Sequence, residues 1–373
     1  MSQPLTKPVR VCLFADTLGR DGPPEKLVVE LATRLDPSAV EAQVCCFEPS
    51  ERLSSLGKYV RTAVFPVPAV NSGGSLRQLW RFHRYLNRHG IQAIHSFTSK
   101  SAVFSVLASR ATSCSAIITS RFNTGSSNSK RELALLRMVN RYSTHILANS
   151  LIAKEHTAKV ERIPADKIAV FYPGIDLNPF ALARESSRRR NGVPVVGIAA
   201  NFGPAEDLPV FLRAAAIVLR AAEARFLLVG RGELTPELQR LTEWLGIAGS
   251  VMLSPPGDSI PDCLATVSVA CISSESERFP GTVLEYMAAG LPVVARETGA
   301  VSELIRDGGT GFLVREGTPE AFAAPILRLL RDPDLRASMG GQAWERAKVD
   351  FDISRTVARL QDFYRDAVKR PTI

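Results

Sequence analysis

Short apolar runs alternate with longer amphipathic stretches along almost the whole of this chain, and that alternation restricts it to an α/β fold. The runs at 9–15, 43–47, 93–97, 116–120, 144–148 and 167–172 have the length and residue types of buried strands. Between them, 25–35, 76–88, 130–142 and 152–162 carry apolar residues at helical spacing. Strand and helix in regular succession imply a parallel sheet, because parallel neighbours need a crossover that a helix supplies. The pattern breaks over 184–192, which holds three consecutive arginines and reads as a linker. It restarts with strands at 194–199, 225–229, 251–253 and 269–272 and helices at 208–221 and 236–245. At 373 residues the chain is long for one core, so two domains are expected, over 1–185 and 186–352. A last helix over 353–368 sets Val357, Leu360, Phe363 and Tyr364 on one face.

A hydrophobic content of 45% with 22% charged residues describes an ordinary soluble globular chain, and no apolar stretch is long enough to cross a bilayer. Cysteines 12, 45, 46, 114, 263 and 271 lack metal-ligand spacing and mostly fall inside predicted strands, as reduced core thiols of a cytosolic protein do. Residues 1–10 lack the apolar run of a signal peptide, so a cytoplasmic location is expected. The net charge of +9 is unevenly spread. Residues 1–185 carry 24 Lys and Arg against 14 Asp and Glu, and 186–373 carry 22 against 23. A basic first half suits an anionic acceptor or membrane surface. No basic-aromatic stacking pattern accompanies the charge, so nucleic acid is not an expected partner.

Chemistry concentrates in 275–295. Glu277 and Glu285 stand eight positions apart, separated by the turn residues Phe279, Pro280 and Gly281 and the helix-opening Thr282. Apolar runs on both sides predict strand, turn, short helix and strand, with the helix N-terminus at the C-terminal edge of the sheet. Unpaired N–H groups and the positive end of the helix dipole there suit a phosphate. Glu277 and Glu285 are then placed to accept hydrogen bonds from sugar hydroxyls on either side. A plainer reading fits the same residues: Thr282 and Glu285 form a capping box, and Glu277 is a loop charge.

This segment resembles the E-x7-E signature of the retaining glycosyltransferases of family 4. The likeness runs on through 299–305 and 307–314, reaches back to 227–233, and touches the first half at 147–150 and at Pro173, Gly174 and Asp176. It implies the GT-B architecture: α/β, two Rossmann-like domains facing across a cleft, the last helix crossing back to the first. It implies a sugar transferred with retention from a UDP- or GDP-sugar, a co-substrate rather than a cofactor, to an acceptor hydroxyl in polysaccharide or glycolipid assembly. By the same resemblance Glu285 holds the ribose, Glu277 contacts the transferred sugar, and the N–H groups of Gly281, Thr282 and Val283 hold the distal phosphate. Gly230 and Gly232 admit the base, and Asn201 and Gly22 lie at the phosphates.

Four departures from the family pattern stand out. Gly22-Pro23-Pro24-Glu25 replaces a Gly-Gly-Ala-Glu loop and removes two N–H donors. Asn201, Gly203 and Glu206 stand where the family carries diphosphate-neutralising cations, and Glu206 has the opposite charge to the lysine it replaces. Ser120-Arg121-Phe122-Asn123 keeps only part of a Ser-Arg-Arg-Asp loop, and His95-Ser96-Phe97 keeps one of two histidines. Arg121, Lys100 or Arg278 are the candidates for supplying the missing charge, Arg121 and Lys100 from the acceptor-binding half. His95 is either a catalytic group orienting a sugar or a structural histidine. Arg77, Arg81, Arg84 and Arg88 line one predicted helix as a solvated basic face or a contact with anionic lipid. Two Asp-x-Asp pairs, 332–334 and 350–352, fall in helix joints and read as helix starts, so no metal is expected. The expected partners are the nucleotide-sugar donor and a sugar, lipid-linked or polysaccharide acceptor, with peripheral contact to the inner face of an anionic membrane. The competing function is a non-catalytic GT-B-fold scaffold with a degenerate phosphate site. A dinucleotide oxidoreductase fails for want of a strand leading into Gly-x-Gly-x-x-Gly.

Overall fold

The computed structural model describes residues 7–20, 22–67, 73–122, 130–188, 192–199, 208–230, 235–254, 258–274 and 281–369. In chain order the elements begin β1 Val9–Ala15, α1 Pro23–Arg34, β2 Val40–Cys46, α2 Glu51–Leu56, β3 Arg61–Val64, α3 Gly73–Arg88 and β4 Ala93–Ser96. They continue α4 Ser99–Ser109, β5 Ala116–Arg121, α5 Lys130–Tyr142, β6 His145–Ala148, α6 Leu151–Glu161, β7 Ile168–Val170, α7 Ala181–Arg188 and β8 Val195–Ala199. Next come α8 Leu208–Leu219, β9 Arg225–Val229, α9 Pro236–Trp244, β10 Val251–Leu253, α10 Ile260–Leu264, β11 Val269–Ile272 and α11 Gly281–Ala288. The chain ends with β12 Val293–Arg296, α12 Gly299–Leu304, β13 Gly311–Val314, α13 Pro319–Arg331, α14 Pro333–Asp350 and α15 Ile353–Lys369.

Two units result, one of 1–174 with 353–373 and one of 175–352. The first unit thus ends at Gly174, where the sequence pattern put the boundary at 185. The arginine-rich stretch is not a linker as far as it is described: α7 occupies 181–188 in the second unit, with Ala183 buried and the Arg184 guanidinium stacked over Trp344. Polarity alone misplaced the break, because an arginine covers apolar surface with its stem while its head stays polar.

In the first unit seven parallel strands follow the order β3-β2-β1-β4-β5-β6-β7. Order reverses between β1 and β4, the switch point of a doubly wound sheet. One side of the sheet is closed by α15, whose Ile353, Val357, Leu360, Tyr364 and Ala367 share a core with Val9, Val11 and Leu13 of β1 and Val40 and Val44 of β2. Each large side chain so buried is worth about 1.5–3 kcal/mol. Gly174 lets that helix begin where it does, since a Cβ there would stand 2.6 Å from the Ile353 Cα. The other side holds a ring cluster of Phe14, Phe47, Phe82 and Phe104 with centroids 4.8–5.9 Å apart.

In the second unit six parallel strands follow β10-β9-β8-β11-β12-β13, with the reversal between β8 and β11. Helix α13 packs on α8 over a core of Phe211, Phe226, Phe322 and Ile326. Gly290, at φ +70°, turns the chain out of α11, and α14 comes so close to it that a Cβ on Gly340 would meet the Gly290 oxygen at 2.2 Å. Asp332 opens α14 as its N-cap, accepting from the Leu335 N–H at 2.8 Å. All six cysteines are free thiols, five of them buried.

Candidate functional site

Both switch points place polar groups at the C-terminal edge of their sheet. In the first unit Asp16 directly follows β1 and accepts a hydrogen bond from the Thr98 hydroxyl. Thr98 in turn opens α4 in a reciprocal capping box with Ser101. Burial pushes the Asp16 carboxyl upward, against the Thr98 hydrogen bond and the charge of Lys100. The Lys100 ammonium lies 4.5 Å from the centroid of the Phe47 ring, partly exposed on the first turn of α4. Asp16 and Thr98 were missed from sequence. The available signal was an acid immediately after the first strand, where a doubly wound fold opens its edge.

Gly22 lies just before α1, which starts with Pro23 and Pro24 and so lacks two of its first N–H groups. Glu25 folds back over this end: a Cβ on Gly22 would meet its Oε2 at 2.4 Å. The helix terminus that the resemblance assigns to phosphate is therefore faced by the chain's own carboxylate, which both fills and charges the space.

Two expectations need correcting. His95 is fully buried on β4, its Nδ1 2.6 Å from the Tyr364 hydroxyl and its Nε2 2.7 Å from Ser120 Oγ. Burial lowers its pKa to about 3, so the ring is neutral at ordinary pH. With both nitrogens bonded inside the core, His95 is a structural tie between β4, β5 and α15 rather than a catalytic group. Arg121 is likewise buried. Its Nε and Nη2 donate to Glu161 at 2.8 and 3.0 Å, Nη2 also to Asn140 at 2.8 Å, and Nη1 to the Ser120 oxygen at 3.2 Å. That bidentate pair consumes the charge meant for an acceptor or diphosphate. Of the first-unit cations proposed, Lys100 stays partly exposed.

In the second unit the decisive element is α11. Its first residue, Gly281, is exposed, Thr282 is half-buried and Val283 lies fully in the core. The N–H groups of such a first turn have no partner within the helix. Glu285 sits one turn in and half-buried, among interactions of its own. Tyr286 fixes the position of the helix: its hydroxyl accepts from the Ala199 N–H at the end of β8, 2.6 Å away, and reaches the Cys271 oxygen of β11 at 3.4 Å. These are the two strands of the switch point, so Tyr286 pins the start of α11 over it. Gly230 directly follows β9, the neighbour of β8 in the sheet, and its N–H donates to Ser254 Oγ at 3.2 Å. Glu277, Arg278, Gly232 and Asn201, with Gly203 and Glu206, lie outside the described residues.

Comparison with known proteins agrees with this geometry. Residues 24–179 match the domain described as Glycosyltransferase Family 4, and 193–332 match that of Glycosyl transferases group 1. The D-inositol 3-phosphate glycosyltransferase of Thermobispora bispora is 32% identical over 242 residues, 60% of this chain and 56% of that protein. The chain thus spans about half the length of the curated relatives it matches. Among solved structures, Anabaena HepE in complex with UDP superposes over 96% of this chain and 100% of its own, with TM-score 0.82 and 20% identity. A glycosyltransferase from Rickettsia africae covers 98% of this chain and 100% of its own, with TM-score 0.85 and 17% identity. These likenesses establish the GT-B fold class.

Proposed function

We propose, since the chain belongs to glycosyltransferase family 4, that it transfers a sugar from a nucleotide diphosphate sugar to an acceptor hydroxyl with retention at the anomeric carbon. The observation that carries this reading is α11, whose N-terminus is pinned over the switch point between β8 and β11 by Tyr286. Open α/β sheets bind ligands at that point, and a helix start there meets a phosphate with N–H groups and a favourable dipole. Gly281, Thr282 and Val283 hold the distal phosphate, Glu285 accepts from the ribose hydroxyls, and Glu277 orients the transferred sugar. The leaving phosphate takes the acceptor's proton, so the reaction asks for neither a general base nor a metal ion. The basic first unit receives the acceptor, in polysaccharide or glycolipid assembly, in peripheral contact with an anionic membrane. Among the described residues no helix is long and apolar enough to cross that membrane.

Binding calorimetry tests the donor site. One nucleotide among UDP, GDP and ADP should bind in the micromolar range, UDP being the first choice because HepE was solved with it. A charge-assisted hydrogen bond is worth about 1.5–3 kcal/mol, so Glu285→Ala should weaken binding by about 10- to 100-fold. A folded protein that binds none of them is instead a scaffold that has kept the fold. The specific observation favouring that second reading is Glu25, whose carboxylate faces the proline-capped start of α1.

A further inference from the structure

Between α3, α4 and α5 the first unit holds a cavity of about 600 Å³. Phe47 and Phe104 form its floor, and Leu79, Val103, Leu107 and Leu136 its walls. The floor belongs to the packed ring cluster and cannot collapse inward to fill the space. At the rim, Leu76, Leu107 and Leu135 leave 71%, 42% and 41% of their surface exposed, an apolar surface that water covers at a cost. The volume is that of a ligand site, not a packing defect.

The chain beside this cavity is strongly basic, although the lining itself pairs one cation, Lys100, with one acid, Glu132. From Arg52 to Arg131 the chain carries twelve Lys and Arg and not one Asp or Glu. This stretch includes the whole of α3 and α4, and Glu132 on α5 is the first acid after it. Arg77, Arg81, Arg84 and Arg88 are exposed along α3, and the Arg84 guanidinium lies 4.7 Å over the half-exposed ring of Trp80. Lys100 stands in the cavity wall beside Phe47. An apolar socket with Lys100 in its wall, on a unit whose α3 exposes a row of arginines, matches a molecule with a hydrocarbon tail and an anionic head that sits at an anionic surface.

We propose that the cavity takes the hydrocarbon chain of a phosphate-bearing lipid acceptor, with Lys100 pairing with the phosphate and the arginine row of α3 lying on the anionic membrane surface. This rests on the assignment of the acceptor to the first unit. The binding is tested without donor or turnover, so its failure and that of the transfer reading are told apart.

The probes are butyl, octyl and dodecyl phosphate below their micelle concentrations, titrated into the full chain by calorimetry, with inorganic phosphate as the headgroup alone. One site is expected, tightening by about fourfold per added methylene until the cavity is full. Lys100→Ala should weaken dodecyl phosphate by about fivefold, the scale of one exposed ion pair. Leu107→Trp fills the mouth from an exposed position and should weaken it by about tenfold or more. If that variant melts early, Leu76→Glu, at a rim residue with little packing to lose, replaces it and should lower affinity through charge. Equal binding of the three chain lengths would overturn the proposal, as would dodecyl phosphate affinity unmoved by every variant. Binding to phosphatidylglycerol vesicles with no response to the alkyl phosphates would assign the basic face to the membrane surface alone and also overturn it. Alkyl phosphate binding in a protein that binds no nucleotide would keep the lipid site and remove the transfer reading.

Discussion

His95 couples the acid stability of the first unit to one ring. An unfolded histidine takes a proton near pH 6.5, whereas the folded ring, held by Tyr364 and Ser120, resists protonation down to about pH 3. Between those values the unfolded chain binds the extra proton. The contribution is therefore complete above pH 6.5 and falls by about 1.4 kcal/mol per pH unit as the solution is acidified. Urea unfolding of the first unit at pH 7 and pH 5 checks this. The loss between the two should shrink by about 2 kcal/mol in His95→Gln, while the half-buried His145 contributes equally to both proteins. His95 and Arg121 also mark the limit of what was legible at this scale. Each stood out as a polar residue at a strand end, which fits catalysis as well as structure. What decides between the two is the partner, and the partners lie 269 residues away at Tyr364 and 40 away at Glu161. No local pattern carries such a pairing.

At the scale of elements, α11 shows how one side chain sets a helix start. Tyr286 follows Glu285, and its hydroxyl is the partner of the Ala199 N–H. Tyr286→Phe removes the partner of that part-buried N–H, at about 1 kcal/mol, and loosens α11 over the switch point. The expected result is a lower unfolding midpoint for the second unit together with weaker nucleotide affinity, read by urea titration and calorimetry on one preparation. A midpoint shift with unchanged affinity would mean that the helix start holds its place without the tyrosine. The pattern revealed most of the buried strands and also β10, an edge strand with none of its three residues buried. β1 and β11 are mostly apolar runs, whereas β3 reads Arg-Thr-Ala-Val, too short and too polar to show as an apolar run, and lies at the edge of its sheet with none of its four residues buried. Helix α11 was legible because turn residues, a helix-opening threonine and an apolar run stand together in sequence. The cavity was not, since α3, α4 and α5 meet only in the fold.

For the whole molecule, the division into units sharpens the charge asymmetry. With α15 counted in the first unit and 175–185 in the second, the first holds 28 Lys and Arg against 14 Asp and Glu, and the second 18 against 23. The basic half is thus more basic than a cut at 185 suggests. The same division makes α15 part of the first core although it comes last in sequence. Ending the chain at Asp352 strips Ile353, Val357, Leu360 and Tyr364 from that core, a loss of order 10 kcal/mol that no single domain withstands. Calorimetry of the truncated chain should show the second unit's transition intact and the first unit's gone. The placement of α15 also sets an order of events during synthesis. Proteins generally fold from the N-terminus as they leave the ribosome, domain by domain. Here the nascent first half emerges early but waits with an open face until the final helix is released, so the half made first is the half finished last.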